Sequence, residues 1–256
     1  MEFRPCIDIH DGKVKQIVGG SIHGDDKVKE NFVAEQDAAF FASFYEKKGL
    51  KGGHVILLNG KNDANYEKTK EQALKALRAY PGGLQVGGGI TDQNAEIFLD
   101  AGASHVIVTS FVFRDGLIDY ERLEQMVRTV GKERLVLDLS CRKKDGMYYI
   151  VTDRWQKYTD TVLNLELLNR LENSCDEYLV HAVDVEGKAS GIEEEIAGLL
   201  GHYHNRPVTY AGGVHDFEDL KRLKELGQNH VNVTIGSALD LFGGKMQFDR
   251  VLDFCR

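Results

Sequence analysis

Short runs rich in β-branched residues alternate with longer stretches whose apolar residues recur every three or four positions, from one end of the chain to the other. The short runs predict eight strands, at Arg4–His10, His54–Leu58, Leu84–Gly87, His105–Val108, Arg134–Leu139, Tyr178–Val183, Val208–Ala211 and Val231–Ile235. The longer stretches predict helices over Gln36–Lys48, Tyr66–Tyr80, Asp92–Ala101, Tyr120–Val130, Thr161–Glu172, Ile192–Leu200 and Phe217–Leu226. Punctuation agrees: Thr91 and Asp216 stand where helices would be capped, Gly102 and Gly227 where they would stop. Strict alternation requires parallel strands joined by right-handed crossovers. Eight such units in 256 residues fit a single α/β domain over residues 1–256, a closed (β/α)8 TIM barrel, better than an open sheet.

Two connections exceed the usual few residues: Val18–Glu35 after the first strand and Cys141–Asp160 after the fifth. The second contains "KKDGMYYIV", which reads as a hairpin turning at Asp145-Gly146. Both follow barrel strands, on the face where barrel enzymes carry their sites, and so are candidate lids.

The chain also repeats itself. The third and fourth strands end in "QVGGGI" and "VIVTS", the seventh and eighth in "TYAGGV" and "VTIGS". Gly213 follows Gly89 by 124 residues, Ser237 follows Ser110 by 127, and Asp138 in "LVLDLSCRKKDG" follows Asp8 in "CIDIHDGKVK" by 130. Three matches near half the chain length describe two repeated half-barrels, about 1–130 and 131–256. Each half offers an anion site, because strand-end glycines let backbone N–H groups approach a phosphate and the following Thr-Ser or Gly-Ser starts a helix. Gly88, Gly89, Thr109 and Ser110 form one expected cradle; Gly212, Gly213, Gly236 and Ser237 form the other. The plainer alternative is that the glycines only permit tight strand-to-helix turns.

Two cradles imply a ligand with a phosphate at each end. Asp8 and Asp138 are the matching strand-end carboxylates, expected to face one another across the mouth between the cradles. A buried carboxylate is costly unless it is paired, hydrogen-bonded or used, and such a pair can divide general-acid and general-base work. Their plainer reading is loop capping, or pairing with Lys13, Lys15 or Arg142.

Composition narrows the class. The chain is 42% hydrophobic and 28% charged, as ordinary globular proteins are, and no run approaches the ~20 apolar residues of a membrane span. A formal charge of −8 argues against general nucleic-acid binding, though not against a small phosphorylated molecule. Cys6, Cys141, Cys175 and Cys255 lack CxxC spacing, which suits reduced thiols rather than a disulfide frame or a zinc site. No signal-like segment precedes the first strand. The chain therefore reads as intracellular and soluble, cytoplasmic, or in the chloroplast stroma if a transit peptide has been removed.

The motifs "CIDIHDGKVKQIVGG", "QVGGGI", "VIVTS", "DLSCRKKDG", "HAVDVEG", "YAGGV" and "GSALDLFGG" resemble the histidine-biosynthesis isomerase family that acts on the bis-phosphorylated aminoaldose called ProFAR, and most closely its eukaryotic branch. The resemblance covers essentially the whole chain. It implies the barrel fold and an Amadori rearrangement, in which the aminoaldose opens, a proton leaves C2′ and the aminoketose PRFAR forms, without metal or organic cofactor. It implies Asp8 as general base, Asp138 as general acid, and Gly20 at the substrate. Trp155, the one tryptophan, falls on a lid where it would stack on the imidazole carboxamide or simply anchor its loop.

The sixth strand departs from the bacterial pattern. "YLVHAVDVEGKASG" has His181 where a threonine would fall and Glu186 before Gly187. His181 is counted with the catalytic residues, orienting Asp138 or binding substrate, against a core histidine satisfied by backbone; Asp184 is expected at the substrate. "HVILLNG" carries Asn59 where bacterial relatives have an aspartate. The alternative is the sister family, the cyclase subunit of imidazole glycerol phosphate synthase, a lyase on the same barrel. It expects a catalytic lysine soon after the first-strand motif, where this chain has Gln16. A third reading is a non-catalytic bis-phosphate receptor. The expected partner is the small-molecule bis-phosphate alone, bound by a monomer, with no nucleic acid and no membrane.

Overall fold

A computed structural model describes residues 1–17, 30–188 and 190–256. Eight parallel strands pair in chain order: β1 (Cys6–His10), β2 (Gly53–Leu57), β3 (Leu84–Gly87), β4 (His105–Val108), β5 (Leu135–Asp138), β6 (Glu177–His181), β7 (Val208–Ala211) and β8 (Asn232–Thr234). The last returns to the first. Phe3 bridges Val233 in parallel, the Arg4 N–H donates to the Val233 carbonyl at 2.8 Å, and the Val233 N–H to that of Glu2 at 2.9 Å. The sheet thus closes on itself as the alternating pattern requires.

A helix follows each strand: α1 (Ala38–Lys47), α2 (Tyr66–Ala79), α3 (Ala95–Asp100), α4 (Tyr120–Val130), α5 (Leu165–Leu171), α6 (Glu194–Gly201), α7 (Phe217–Leu226) and α8 (Phe248–Cys255). Asp37, Asp119, Asn164 and Asp216 cap α1, α4, α5 and α7, each side chain accepting a first-turn N–H; such caps contribute about 1 kcal/mol apiece. Among the described residues no helix is long and apolar enough to cross a membrane.

Register decides which side chains face the axis, because paired residues of a parallel ladder share a face. Asp8 pairs with Ile56, and Asp138 with Leu179. Ile56, Ile107, Val136 and Leu179 form a cluster of their own inside the barrel, apart from the larger core that contains Ile7, Ile9 and the helix faces. Asp8 and Asp138 therefore point inward and the flanking isoleucines outward. Beneath lies a polar layer: the buried Glu177 accepts from Arg4 Nη1 at 2.7 Å, Gln85 Nε2 at 2.9 Å and Thr209 Oγ1 at 2.6 Å.

Two expected helices start three or four residues later than periodicity predicts. Residues 161 and 162 end a strand, Lys157–Val162, which joins Cys141–Lys144 and Met147–Thr152 in a three-stranded sheet before α5. Alternating exposure from Tyr158 to Asp160 follows a strand's period of two, and Asn164 supplies the helix start. Thr91 lies three residues outside the N-cap of α3, which is Asn94. The turn at Asp145-Gly146 has φ of 51° and 80°, the conformation of a tight hairpin.

Candidate active site

The carboxyl ends of the strands open onto a cavity of ≈ 280 Å³. Its wall contains Gly212, Gly213, Gly236 and Ser237, the whole of one predicted cradle, together with Asp8 and His181. Gly213 has φ of +79°, and a Cβ there would lie 2.0 Å from the Gly191 carbonyl oxygen, so only glycine fits. The first half repeats this backbone. A Cβ on Gly88 would strike the Leu57 carbonyl at 2.1 Å, as one on Gly212 would strike that of Ala182 at 2.8 Å.

The other predicted cradle lies outside the cavity. Thr109 Oγ1 donates to Asp138 Oδ2 at 3.0 Å, and Ser110 Oγ accepts the Asp153 N–H at 3.0 Å. The helices expected to begin at the cradles are three-residue turns, Ser110–Val112 and Asp240–Phe242. Turns that short carry little dipole, so attraction for an anion falls to individual amides.

Burial raises the Asp8 carboxyl from 3.8 to about 7, with Gln16 Nε2 at 3.5 Å pulling weakly the other way. Glu186, in the loop after β6, lines the same cavity and rises from 4.5 to about 7, first through burial and then through the charge of Asp8. In the sequence Glu186 registers only as a departure before Gly187. His54 of β2 also lines the cavity, buried and pushed down to about 3 by burial and then by His181. Its one available signal is an ionisable residue at an inward strand position.

Asp138 points inward yet does not line this cavity. Its Oδ1 accepts the Ser140 N–H at 2.8 Å and the Ser140 hydroxyl, and its Oδ2 accepts Thr109. Ser140 Oγ also lies 3.0 Å from His181 Nδ1. Burial pushes His181 below its ordinary value, with the Asp138 charge opposing. The Trp155 ring sits over this group, 5.3 Å from the imidazole centroid. It is carried on three successive left-handed residues, Asp153, Arg154 and Trp155, with φ of 52°, 57° and 65°. Such residues cost about 1 kcal/mol or more each. The loop keeps this conformation because the Ser110–Asp153 bond and a Gln156 N–H to Thr152 carbonyl bond of 3.1 Å hold it.

Asp184 is drawn away from the cavity. It accepts from Arg142 Nε at 2.9 Å and the Lys143 N–H at 2.8 Å, tying the β6 loop to the three-stranded sheet. Gly20 and most of the first long loop lie outside the described residues. Asn59 has a local reason for being uncharged. Its Oδ1 accepts the Asp11 N–H at 2.8 Å while its Nδ2 donates to Asp11 Oδ1 at 3.0 Å, and an aspartate there would face the Asp11 carboxylate. At the rim, His215, Asp216 and Asp219 bring three possible ligand atoms within 4.8 Å of one another. Asp216 is already capping α7, and Asp219 accepts the His215 N–H at 3.0 Å.

A model of the family described as "Histidine biosynthesis protein" matches residues 2–247. A relative from Medicago truncatula, named 1-(5-phosphoribosyl)-5-((5-phosphoribosylamino)methylideneamino) imidazole-4-carboxamide isomerase, chloroplastic, is 54% identical over 98% of this chain and 81% of its own. Proteins of the same isomerase name from Yarrowia lipolytica and Saccharomyces cerevisiae are 46% and 40% identical, over 99% and 100% of this chain and 97% of each of theirs.

Proposed function

The chain belongs to the histidine biosynthesis protein family and, like its near relatives, is an isomerase; from that premise we propose that it converts the aminoaldose ProFAR to the aminoketose PRFAR without a cofactor. One observation carries the reading: a cavity whose wall joins a glycine cradle for phosphate to two carboxyls, Asp8 and Glu186, that both titrate at about 7. Two such groups in one poorly hydrated space share a proton near neutral pH, and titrate as a pair. One then protonates the ring oxygen as the sugar opens while the other takes the C2′ proton.

We assign the base to Asp8 and the acid to Glu186. Asp138, the acid that the family resemblance implies, has donors on both oxygens and supports His181 instead. Gln16, buried and neutral beside Asp8, stands where the cyclase reading wants a lysine, and the relatives' isomerase name favours the same choice. An absorbance assay of ProFAR conversion tests the assignment: Asp8→Asn and Glu186→Gln should each lose about 10²-fold or more in kcat. Normal turnover by Glu186→Gln would return the acid role to Asp138.

A further inference from the structure

The geometry points to Ser140 as a positioning residue that bridges Asp138 to His181 and leaves the His181 Nε2 lone pair turned toward the reaction cavity, a role that rests on the isomerase reading only for its catalytic consequence. Ser140 is fully buried, two residues beyond Asp138 where the chain leaves β5. Asp138 Oδ1 and His181 Nδ1 are 4.0 Å apart, too far for a direct hydrogen bond, and the hydroxyl spans that gap.

The direction of each bond follows from counting hydrogens. A carboxylate only accepts, so the single hydroxyl hydrogen of Ser140 goes to Asp138. At its 3.0 Å contact with His181, Ser140 Oγ must therefore accept, and Nδ1 carries the ring hydrogen. Burial keeps the imidazole neutral at neutral pH. A neutral imidazole with hydrogen on Nδ1 has a bare Nε2. No described residue hydrogen-bonds that atom; the ring's aromatic neighbours are Trp155, tilted at 5.3 Å, and His54, edge-on at 5.9 Å.

The consequence is chemical division inside one cavity. Asp8 and Glu186 hold a proton on one side, while His181 offers an acceptor under the Trp155 lid for a hydroxyl of the opened sugar. Asp138 acts at one remove, keeping the ring in the accepting tautomer. Ser140 carries this arrangement because neither alanine nor a longer polar side chain would fill the span with one donor and one acceptor.

The test begins with the unliganded wild type. Protein labelled with ¹⁵N-histidine and examined by long-range ¹H–¹⁵N correlation at pH 7.5 should show His181, identified by the loss of its signals in His181→Gln, with hydrogen on Nδ1. Ser140→Ala should move it toward the Nε2–H form and lower kcat by roughly 10–100-fold, the range for a lost outer partner; Ser140→Thr should restore both. An Nε2–H tautomer in the wild type overturns the inference, as does a Ser140→Ala protein with unaltered tautomer and turnover. An Nδ1–H wild type that fails to convert ProFAR would support the relay and defeat the isomerase reading separately.

Discussion

Replacing Asp8 with asparagine should make the protein more stable at alkaline pH while removing its activity. Burial raises the carboxyl from 3.8 to about 7, so folding favours its protonated form. The sign follows directly: the stability this group contributes is fully present below pH 3.8 and is lost as pH rises through about 7. A shift of roughly three units at ~1.36 kcal/mol each corresponds to ~4 kcal/mol. Asp8 is only partly shielded from solvent, which trims the expected gain to about 2–4 kcal/mol. Asparagine has the same shape and nothing to ionise. Urea unfolding at pH 8 should then show the variant more stable by about 2–4 kcal/mol, or several degrees in Tm at about 2–4 °C per kcal/mol, with the advantage shrinking toward zero near pH 4. An equal gain at both pH values would mean that packing, not charge, was relieved. No gain at pH 8 would mean that the carboxylate is well solvated and the acid–base argument loses its footing.

The two glycine cradles give an internal comparison by activity and thermal melting. Gly89 has open space around its missing side chain, so Gly89→Ala should cost only the φ strain of about 1 kcal/mol, whereas Gly213→Ala must displace the Gly191 carbonyl and should lose stability and phosphate affinity together. Glu177→Ala removes the buried partner of the Arg4 guanidinium at 2.7 Å, leaving it the exposed Glu2 at 3.4 Å, and should cost about 3 kcal/mol in urea unfolding; a cost under 1 kcal/mol would contradict the buried network. Asn59→Asp sets a carboxylate against Asp11 and should lower Tm by more at pH 7 than in acid, where protonation of the new carboxyl relieves the repulsion.

Among the described residues, periodicity was enough to place the eight barrel strands and seven of the eight helices within a few residues, because each barrel unit is local: a two-residue period, a turn, a 3.6-residue period and a cap. The helix over Thr161–Glu172 starts later than its pattern suggests because β-branched residues with apolar neighbours suit either element, and it is pairing with the preceding strand Met147–Thr152 that draws Lys157–Val162 into the sheet. The strand-end glycine motifs were equally legible, and they bring Gly212 and Gly213 to the cavity. Repetition is symmetric in sequence but not in space. Asp8 and Asp138 match by position, yet one faces the cavity beside Glu186 while the other is taken by Ser140 and Thr109.

That difference could not be read along the chain. The sequence by itself determined the barrel, its closure and the strand ends where chemistry gathers, since these follow from local periods and from glycine's freedom of φ. Only the tertiary structure decided which carboxyls share a cavity, which way Ser140 donates and how far burial moves each proton. Burial and hydrogen-bond partners are properties of neighbours brought together by folding: Glu186 comes to Asp8, residues far apart in the chain, and the Asp8 charge adds to burial in raising the Glu186 carboxyl.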